Sequence, residues 1–268
     1  MITFIVPAYN EAENLPTLLD GMQQRMDTLG RPWRILIVDD GSRDATAAIA
    51  SSFASRFAID VISHEANRGP GATFRTGFEW ALARSRPDDI IVTKEADNTS
   101  DLSVLERMLA DIESGSDVVL ASCFAPQGGI VGSTWDRHLL SSVANLLLRT
   151  FFVIPNVHTY SSFYRAYRAG TLDRAFRAYD GALLECRGFA CMVEMLVKLA
   201  RLPIRITEVP MVLKCDLRKG ASKMARLRTI GEYLRLIVRE ALRSRVGDRR
   251  VRTAFEAVGP SGVMSADV

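Results

Sequence analysis

The sequence predicts an α/β fold, in which a mostly parallel β-sheet is flanked by helices and amphipathic helices follow towards the C-terminus. Short β-rich runs alternate with helical patterns over the first 120 residues, which is typical of such a sheet. The chain has 268 residues, of which 48% are hydrophobic, so it is long enough to bury a sizeable core. Polar, acid-bearing loops follow the predicted strands, at the sheet edge where ligands bind in folds of this class.

Five strands and four helices are predicted in the first part of the chain. The strands are Ile- and Val-rich runs at residues 2–6, 35–38, 59–63, 90–93 and 118–121. The helices have apolar residues at helical spacing and cover residues 15–28, 45–55, 73–83 and 103–112. Because a helix separates successive strands, the strands should run parallel, with helices on both faces of the sheet.

The pattern is less regular after residue 134. Helices are predicted at 135–150, 189–199 and 224–242, and short strands at 163–167, 204–208 and 211–214. Residues 1–243 should form one domain, and residues 244–268, which include Gly259, Pro260 and Gly262, should be a disordered tail.

Charge is distributed unevenly along the chain. The net charge is +3, but 15 Lys and Arg stand against five acidic residues between Arg201 and Arg252, which leaves a net −7 on the remainder. A basic segment on an acidic body predicts an anionic partner. A nucleic-acid-binding module is the non-enzymatic alternative. It is disfavoured because the segment lacks interleaved aromatic residues and any helix-turn-helix or zinc signature.

Targeting and redox signals indicate a cytoplasmic protein. The N-terminus lacks the basic and apolar regions of a signal peptide, and no run of ~18 apolar residues predicts a membrane-spanning helix. The four cysteines, Cys123, Cys186, Cys191 and Cys215, have no Cys-x-x-Cys spacing. They are therefore expected to be reduced thiols and not zinc ligands.

Four polar loops carry the candidate chemistry. They are Pro7-Ala8-Tyr9-Asn10-Glu11, Asp39-Asp40-Gly41-Ser42, Asn67-Arg68-Gly69-Pro70-Gly71 and Glu95-Ala96-Asp97-Asn98-Thr99-Ser100-Asp101. Each loop alone has a structural explanation, since Asp-Gly favours turns and Asp or Ser often precedes a helix. Together, at one edge of a parallel sheet, the loops should converge on a single cleft.

These motifs, in this order and spacing, resemble the inverting family 2 glycosyltransferases of GT-A fold. Within that family they are most similar to the dolichol-phosphate mannosyltransferase-like, or polyprenyl-phosphate, branch. The similarity runs to about residue 243 and includes segments 160–168, 208–210 and 218–223. The resemblance implies a hexosyltransferase that moves a sugar from a nucleotide-sugar, GDP-mannose-like or UDP-hexose, to a polyprenyl or dolichyl phosphate. It also implies a nucleotide-sugar-binding half, 1–121, and an acceptor half, 122–243.

The resemblance also assigns site residues. Those implied to hold the nucleoside are Pro7, Tyr9, Glu11, Val38 and Asp40. Glu95, Ala96 and Asp97 occupy the position of the family's Asp-x-Asp signature. There Asp97, with Glu95, would bind Mg²⁺ or Mn²⁺, which prefer oxygen ligands. Arg218 and Lys223 would supply positive charge to the donor diphosphate and to an acceptor phosphate.

The sequence departs from the family pattern at two places. Glu95 replaces the first Asp of the signature, and Thr99 stands where relatives often have a Gln. Cys123 replaces the Arg of a Gly-Ser-Arg motif, so a phosphate-binding cation is missing there. Arg68 and Arg137 are the candidates to replace it.

The acceptor remains open between two chemistries. A phosphate monoester, with a second pKa of about 6, is already a dianionic nucleophile and needs no general base. A sugar hydroxyl would need a base, and the candidates are Glu185 and Glu194, although Glu194 could equally be a structural ion-pair residue. A third possibility is a degenerate protein that binds a sugar nucleotide without turnover.

Two segments predict peripheral contact with an anionic membrane, which would place the enzyme at the cytoplasmic face. Residues 135–155 combine large apolar residues with a few basic ones, the pattern of an interfacial helix, although a core helix is an equal alternative. The helix at 224–245 carries four spaced basic residues, Arg228, Arg235, Arg239 and Arg243.

Overall fold

The computed structural model describes residues 1–220, 226–243 and 245–258. The strands are β1 (Ile2–Ala8), β2 (Trp33–Asp39), β3 (Ile59–Ser63), β4 (Ile90–Thr93), β5 (Val118–Ser122), β6 (Gly129–Val131), β7 (Arg165–Arg168), β8 (Ile206–Pro210) and β9 (Val212–Lys214). The helices are α1 (Leu15–Leu29), α2 (Thr46–Ser52), α3 (Pro70–Leu82), α4 (Leu105–Glu113), α5 (Trp135–Phe151), α6 (Ala169–Ala178), α7 (Cys191–Leu199), α8 (Arg226–Ala241) and α9 (Arg245–Ala257).

Seven strands form the central sheet in the order β3-β2-β1-β4-β7-β5-β8. All neighbours are parallel except β7, which runs antiparallel between β4 and β5. A second, two-stranded sheet pairs β6 with β9. The predicted α/β fold with a mostly parallel sheet is therefore confirmed.

Helices cover both faces of the central sheet because its strands alternate buried side chains between two cores. On β1, Phe4 and Val6 belong to one core, which includes apolar residues of α1, α2 and α4. Ile5 points to the other core, which includes residues of α3, α6, α7, α8 and α9. A sheet that is buried on both faces explains why the strands are almost continuously apolar in sequence.

The sequence prediction missed β6, α6 and α9. The most consequential of these is α9, because residues 245–257 fall in the predicted disordered tail, and that part of the prediction is wrong. Phe255 is buried against α6, where the Arg174 guanidinium lies 4.0 Å from the centre of its ring. Apolar residues at helical spacing, Val251 and Phe255, thus bind this helix to the body. Residues 259–268 lie outside the described residues.

The carboxyl ends of the parallel strands lie together at one edge of the sheet. The register pairs Ala8 of β1 with Asp39 of β2, and Ile5 of β1 with Thr93 of β4. Because β7 is antiparallel, its first residue, Arg165, lies opposite Thr93. The loop before β7 therefore reaches the same edge as the loops after β1, β2 and β4.

Among the described helices, none is both long enough and apolar enough to cross a bilayer.

Candidate active site

The loops after β1 and β2 are joined by side chain–backbone hydrogen bonds. The Asn10 N–H donates to Ser42 Oγ (2.9 Å), and the Arg43 N–H donates to Asn10 Oδ1 (2.8 Å). Asn10 has a positive φ of 54°, a conformation that Asn adopts more readily than most residues. The Glu11 N–H donates to Thr46 Oγ1 (2.8 Å). The predicted nucleoside-binding loops thus form one connected surface.

Asp40 is buried and holds the next loop. Its Oδ1 accepts the Arg68 N–H (2.9 Å) and its Oδ2 accepts the Gly69 N–H (2.8 Å). His64 Nδ1 lies 2.7 Å from Oδ1, and the other ring nitrogen is 3.1 Å from Thr76 Oγ1. The Asp40 carboxylate therefore organises the loop that begins α3, in addition to any contact with a nucleoside.

The other residues predicted to contact the nucleoside, and Ala96, differ in how exposed their side chains are. Pro7 and Tyr9 are partly exposed at the sheet edge, where a ligand can reach them. The Val38 side chain is completely buried in the core, so only its backbone can face the cleft. Ala96 is also buried, between the two acidic residues of its loop.

Asp97 and Arg218 form an ion pair at the end of β4. Arg218 Nε lies 2.8 Å from Asp97 Oδ2, and a terminal guanidinium nitrogen contacts the same oxygen. Asp97 Oδ1 accepts from the Thr99 hydroxyl (2.7 Å) and the Thr99 N–H (3.1 Å). Burial would raise the pKa of Asp97, but the Arg218 charge and the Thr99 hydrogen bonds outweigh it and hold the pKa below its usual range.

Glu95 is turned towards the interior of its loop. Its carboxylate accepts from the Ser100 hydroxyl (2.9 Å) and from the Phe163 N–H (3.3 Å), and burial raises its pKa. Beneath it, the fully buried Lys94 donates to the Ser100 carbonyl (2.7 Å) and lies over the Tyr164 ring. Glu95 as a second metal ligand stays a prediction.

Glu11 is connected through Asn14 to the segment that carries Arg218. Its carboxylate accepts from Asn14 Nδ2 (2.6 Å), and the same nitrogen donates to the Lys219 carbonyl (3.0 Å). Lys223, which was predicted to contact phosphate, lies outside the described residues. Of the two predicted phosphate-binding residues, the structure therefore describes Arg218, which contacts Asp97.

Cys123 lies at the end of β5, in the position where the family has Arg, and burial raises its pKa to about 11. Burial also raises the pKa of Cys215, and the charges of Arg218, Asp97 and Arg137 all act on it. Arg137 is an exposed residue in the first turn of α5. It stays a prediction that Arg137 or Arg68 supplies the phosphate-binding charge that is missing at Cys123.

The two carboxylates considered as general bases belong to a buried ion-pair network. Glu194 is fully buried; its Oε1 lies 2.6 Å from Lys198 Nζ and also contacts Arg239, and its Oε2 accepts two backbone N–H groups. Glu185 contacts Lys198 (2.7 Å) and Arg243 (2.9 Å). Burial acts to raise the pKa of Glu185, but these cations lower it below its usual range. Glu185 is therefore a poor proton acceptor, and both oxygens of Glu194 are already engaged by cations or backbone N–H groups.

A model of the family described as Glycosyl transferase family 2 matches residues 3–176, more than half of the chain. The chain belongs to this family. Its relatives include the polyprenol monophosphomannose synthase of Mycolicibacterium smegmatis, 29% identical over 82% of this chain and 80% of that protein. They also include the undecaprenyl-phosphate mannosyltransferase of Micrococcus luteus, 32% identical over 91% of this chain and 98% of that protein. The predicted resemblance, and with it the prediction of a hexosyltransferase, is confirmed.

A solved structure supports the GT-A fold of this glycosyltransferase. The glucosyl-3-phosphoglycerate synthase of Mycobacterium tuberculosis, crystallised with Mn²⁺, uridine diphosphate and glucosyl-3-phosphoglycerate, superposes with a TM-score of 0.58. The similarity covers 90% of this chain and 78% of that one, at 18% identity. Identity at this level shows that the fold is shared.

The oxygen ligands that the glycosyltransferase offers at this site fit a divalent cation that also binds a substrate. Among the residues that the structure describes, no group of three or more His, Cys, Asp or Glu side chains is arranged to enclose a metal. Mg²⁺ is usually held by one or two carboxylates together with substrate phosphates. Asp97 is one carboxylate of this kind at the sheet edge, and in this structure it is paired with the Arg218 guanidinium. Metal binding by Asp97 stays a prediction.

Three residues that contribute to the site of this glycosyltransferase were missed from sequence. Asn14 precedes an apolar helix, and His64 follows a strand; neither position suggests a buried role in joining loops. Lys94 directly follows the buried strand β4, Ile-Ile-Val-Thr, and a lysine that continues a buried strand towards an acidic loop was a usable signal.

Proposed function

We propose that this glycosyltransferase transfers a hexose, with inversion, from a nucleotide-sugar to a polyprenyl phosphate, in the presence of Mg²⁺ or Mn²⁺. The names of two relatives, a polyprenol monophosphomannose synthase and an undecaprenyl-phosphate mannosyltransferase, support a lipid-phosphate acceptor and make GDP-mannose the first donor to test, before UDP-hexoses. The Mn²⁺ in the glucosyl-3-phosphoglycerate synthase structure supports the use of a divalent cation.

The main structural support for a phosphate acceptor is that Glu185 and Glu194 are both bound to cations. A hydroxyl acceptor needs a base within hydrogen-bond reach, and the two downstream candidates are both bound to cations. A phosphate monoester is largely dianionic at neutral pH, since its second pKa is about 6. It can therefore attack the anomeric carbon without losing a proton to the protein.

The donor side is assigned to the edge formed by β1, β2 and β4. Pro7, Tyr9 and Glu11 would contact the nucleoside, with Asp40 holding the neighbouring loop in place. Asp97 would hold the divalent cation, which neutralises charge on the leaving diphosphate. Arg218 would move its charge from Asp97 to the diphosphate, for which a guanidinium is well suited because it binds phosphate oxygens through two N–H groups.

Contact with a membrane is proposed through exposed apolar side chains of α5 and α8. We define the α5–α8 face by the exposed residues Trp135, Leu139, Val143, Leu146, Leu147, Phe151, Leu234, Val238 and Leu242. Arg137, Arg149 and Arg235 are exposed on the same two helices and can meet anionic headgroups.

One part of the predicted membrane contact is wrong. Arg239 and Arg243 do not form an outward basic face, because they bind the buried Glu194 and the partly exposed Glu185. The exposed part of the helix retains Arg228, which pairs with Glu232, and Arg235. The basic C-terminal segment therefore serves the internal network as well as any lipid surface.

The direct test is turnover with defined acceptors. Purified protein with Mn²⁺ should release nucleoside diphosphate from GDP-mannose or a UDP-hexose when undecaprenyl phosphate is added, and should stay inactive with undecaprenol, the matched alcohol. EDTA should stop the reaction. Equal turnover with the alcohol would refute the phosphate acceptor. No turnover with any donor plus undecaprenyl phosphate would leave the non-catalytic alternative.

A further inference from the structure

Asn14 occupies the N-cap position of α1, but its side chain makes no capping hydrogen bond to that helix. Asn is favoured at this position because its side-chain oxygen normally accepts an N–H from the first turn. Here the side chain is directed away from α1 and is almost completely buried. A helix-capping role therefore does not explain the residue.

The Asn14 amide instead binds two loops from distant parts of the sequence. Its Nδ2 donates to Glu11 Oε2 (2.6 Å) and to the Lys219 carbonyl (3.0 Å), and its Oδ1 accepts the Lys219 N–H (2.9 Å). Its backbone carbonyl accepts from Asn98 Nδ2 (2.9 Å). One residue thus connects the loop after β1, the loop after β4 and the segment before α8.

These contacts use the specific chemistry of a primary amide. Both N–H groups of Nδ2 and the carbonyl oxygen have partners, so the orientation of the amide is fixed. Aspartate has the same shape but cannot donate. It would leave the Lys219 carbonyl without its donor and place a second carboxylate against Glu11.

We infer that Asn14 is a positioning residue for sugar transfer, whose amide fixes the Lys219 backbone so that the adjacent Arg218 is presented to Asp97 and to the donor diphosphate. The inference rests on the proposed function, in which Arg218 meets the diphosphate. Asn14 itself touches neither Asp97 nor Arg218 through its side chain in the hydrogen bonds described above. Its effect on the donor must therefore pass through Arg218.

Asn145 is a matched control from another part of the molecule. It is also a buried amide that clamps backbone, since Nδ2 donates to the His158 carbonyl (2.6 Å) and Oδ1 accepts the Tyr160 N–H (3.1 Å). Removing it deletes an equivalent pair of hydrogen bonds between α5 and the loop before β7. Asn145→Ala therefore measures the general effect of losing a buried amide that is hydrogen-bonded to two backbone groups.

The first experiment is amide hydrogen exchange on the full chain without added nucleotide. Asn14→Ala removes both hydrogen bonds to Lys219 and should speed exchange in the peptide containing Lys219, while peptides of α7 exchange as in the wild type. Asn145→Ala should leave the Lys219 peptide unchanged. Unchanged exchange at Lys219 in Asn14→Ala would overturn the inference, whatever the enzyme binds.

The second experiment is a double-mutant cycle on nucleotide affinity, measured by calorimetry with Mn²⁺ and GDP or UDP. Asn14→Ala should weaken binding about tenfold, the effect of losing the two hydrogen bonds that hold Lys219. Combined with Arg218→Ala, it should weaken binding no further than Arg218→Ala alone, because both act through one group. Independent effects that multiply would overturn the inference, as would equal weakening by Asn145→Ala. If the wild type binds neither nucleotide, the proposed function fails, and hydrogen exchange alone decides the role of Asn14.

Discussion

Arg218 binds Asp97 through Nε, which lies 2.8 Å from Oδ2, although the two residues are 121 positions apart in the sequence. The pair joins the loop after β4 to the segment that precedes α8. Its carboxylate is kept ionised by Arg218 and Thr99. The same carboxylate is the proposed ligand of the divalent cation, which makes it the first target for substitution.

We expect Asp97→Asn to lower kcat/KM by at least about 100-fold, because a divalent cation supplies several kcal/mol of charge stabilisation in such reactions. Calorimetry should also show loss of Mn²⁺-dependent nucleotide binding. Asp20→Asn is the matched control, since Asp20 pairs with Arg56 at an exposed site remote from the cleft. Activity close to that of the wild type in Asp97→Asn would contradict the assignment.

Glu194→Gln should destabilise the fold by roughly 3–5 kcal/mol, because it leaves the fully buried Lys198 ammonium with one carboxylate fewer. Urea unfolding measures this change in the free energy of unfolding. Glu185→Gln, at a partly exposed position of the same network, should cost under ~1 kcal/mol and leave turnover with undecaprenyl phosphate intact. Loss of this turnover in a folded Glu185→Gln variant would contradict the purely structural role given to Glu185.

The α5–α8 face predicts binding to anionic vesicles at low salt. Leu146→Glu and Leu234→Glu should each lower the partition coefficient roughly tenfold or more, since burial of a leucine side chain contributes ~1.5–3 kcal/mol. Val212→Glu, at an exposed apolar residue of the β6–β9 sheet, should have little effect. Sedimentation with phosphatidylglycerol vesicles measures the partition. Equal recovery in the supernatant with and without vesicles would count against the membrane contact.

Asp101 should make part of the stability dependent on acid pH. Burial opposes the shift, but hydrogen bonds from Lys214 and Ser103 lower the pKa of Asp101 to about 2, from an ordinary value of 3.8. Because the folded pKa is depressed, its contribution is complete above about pH 4 and is lost as the pH falls towards about 2. Urea titrations at several pH values should show the stability difference between wild type and Asp101→Asn shrinking over that interval. Lys214→Met should weaken the same dependence, and an unchanged slope in both variants would contradict this origin.

Much of the fold could be predicted because apolar periodicity is strong in this chain. The runs at 2–6 and 35–38 became the centre of β1 and β2, and the helix at 15–28 became α1 with one further residue. The missed β6 has only three residues and starts with Gly129. Such a short strand exists because β9 pairs with it, and tertiary pairing of that kind leaves little pattern in the sequence.

The candidate site was predictable in position but not in detail. Topology alone brings the loops after parallel strands to one edge, so Glu11, Asp40 and Asp97 could be grouped in advance. Which way each carboxylate turns depends on partners far away in the sequence. Asp40 faces backbone N–H groups of Arg68 and Gly69, and Asp97 faces Arg218. These pairings arise from packing, and spacing within a motif carries no information about them.

The antiparallel strand β7 has a consequence for how the chain acquires its structure. It lies between β4 and β5, although both of these strands precede it in the sequence. When the first 121 residues have left the ribosome, these two strands still lack the partner that satisfies their facing edges. The facing edges of β4 and β5 therefore stay unpaired for about 45 more residues, and the other edge of β5 stays unpaired until β8 follows. Unpaired edges of this kind favour aggregation. Synthesis that stalls in the loop before β7 would thus expose a chain more prone to self-association than either the finished enzyme or a shorter nascent chain.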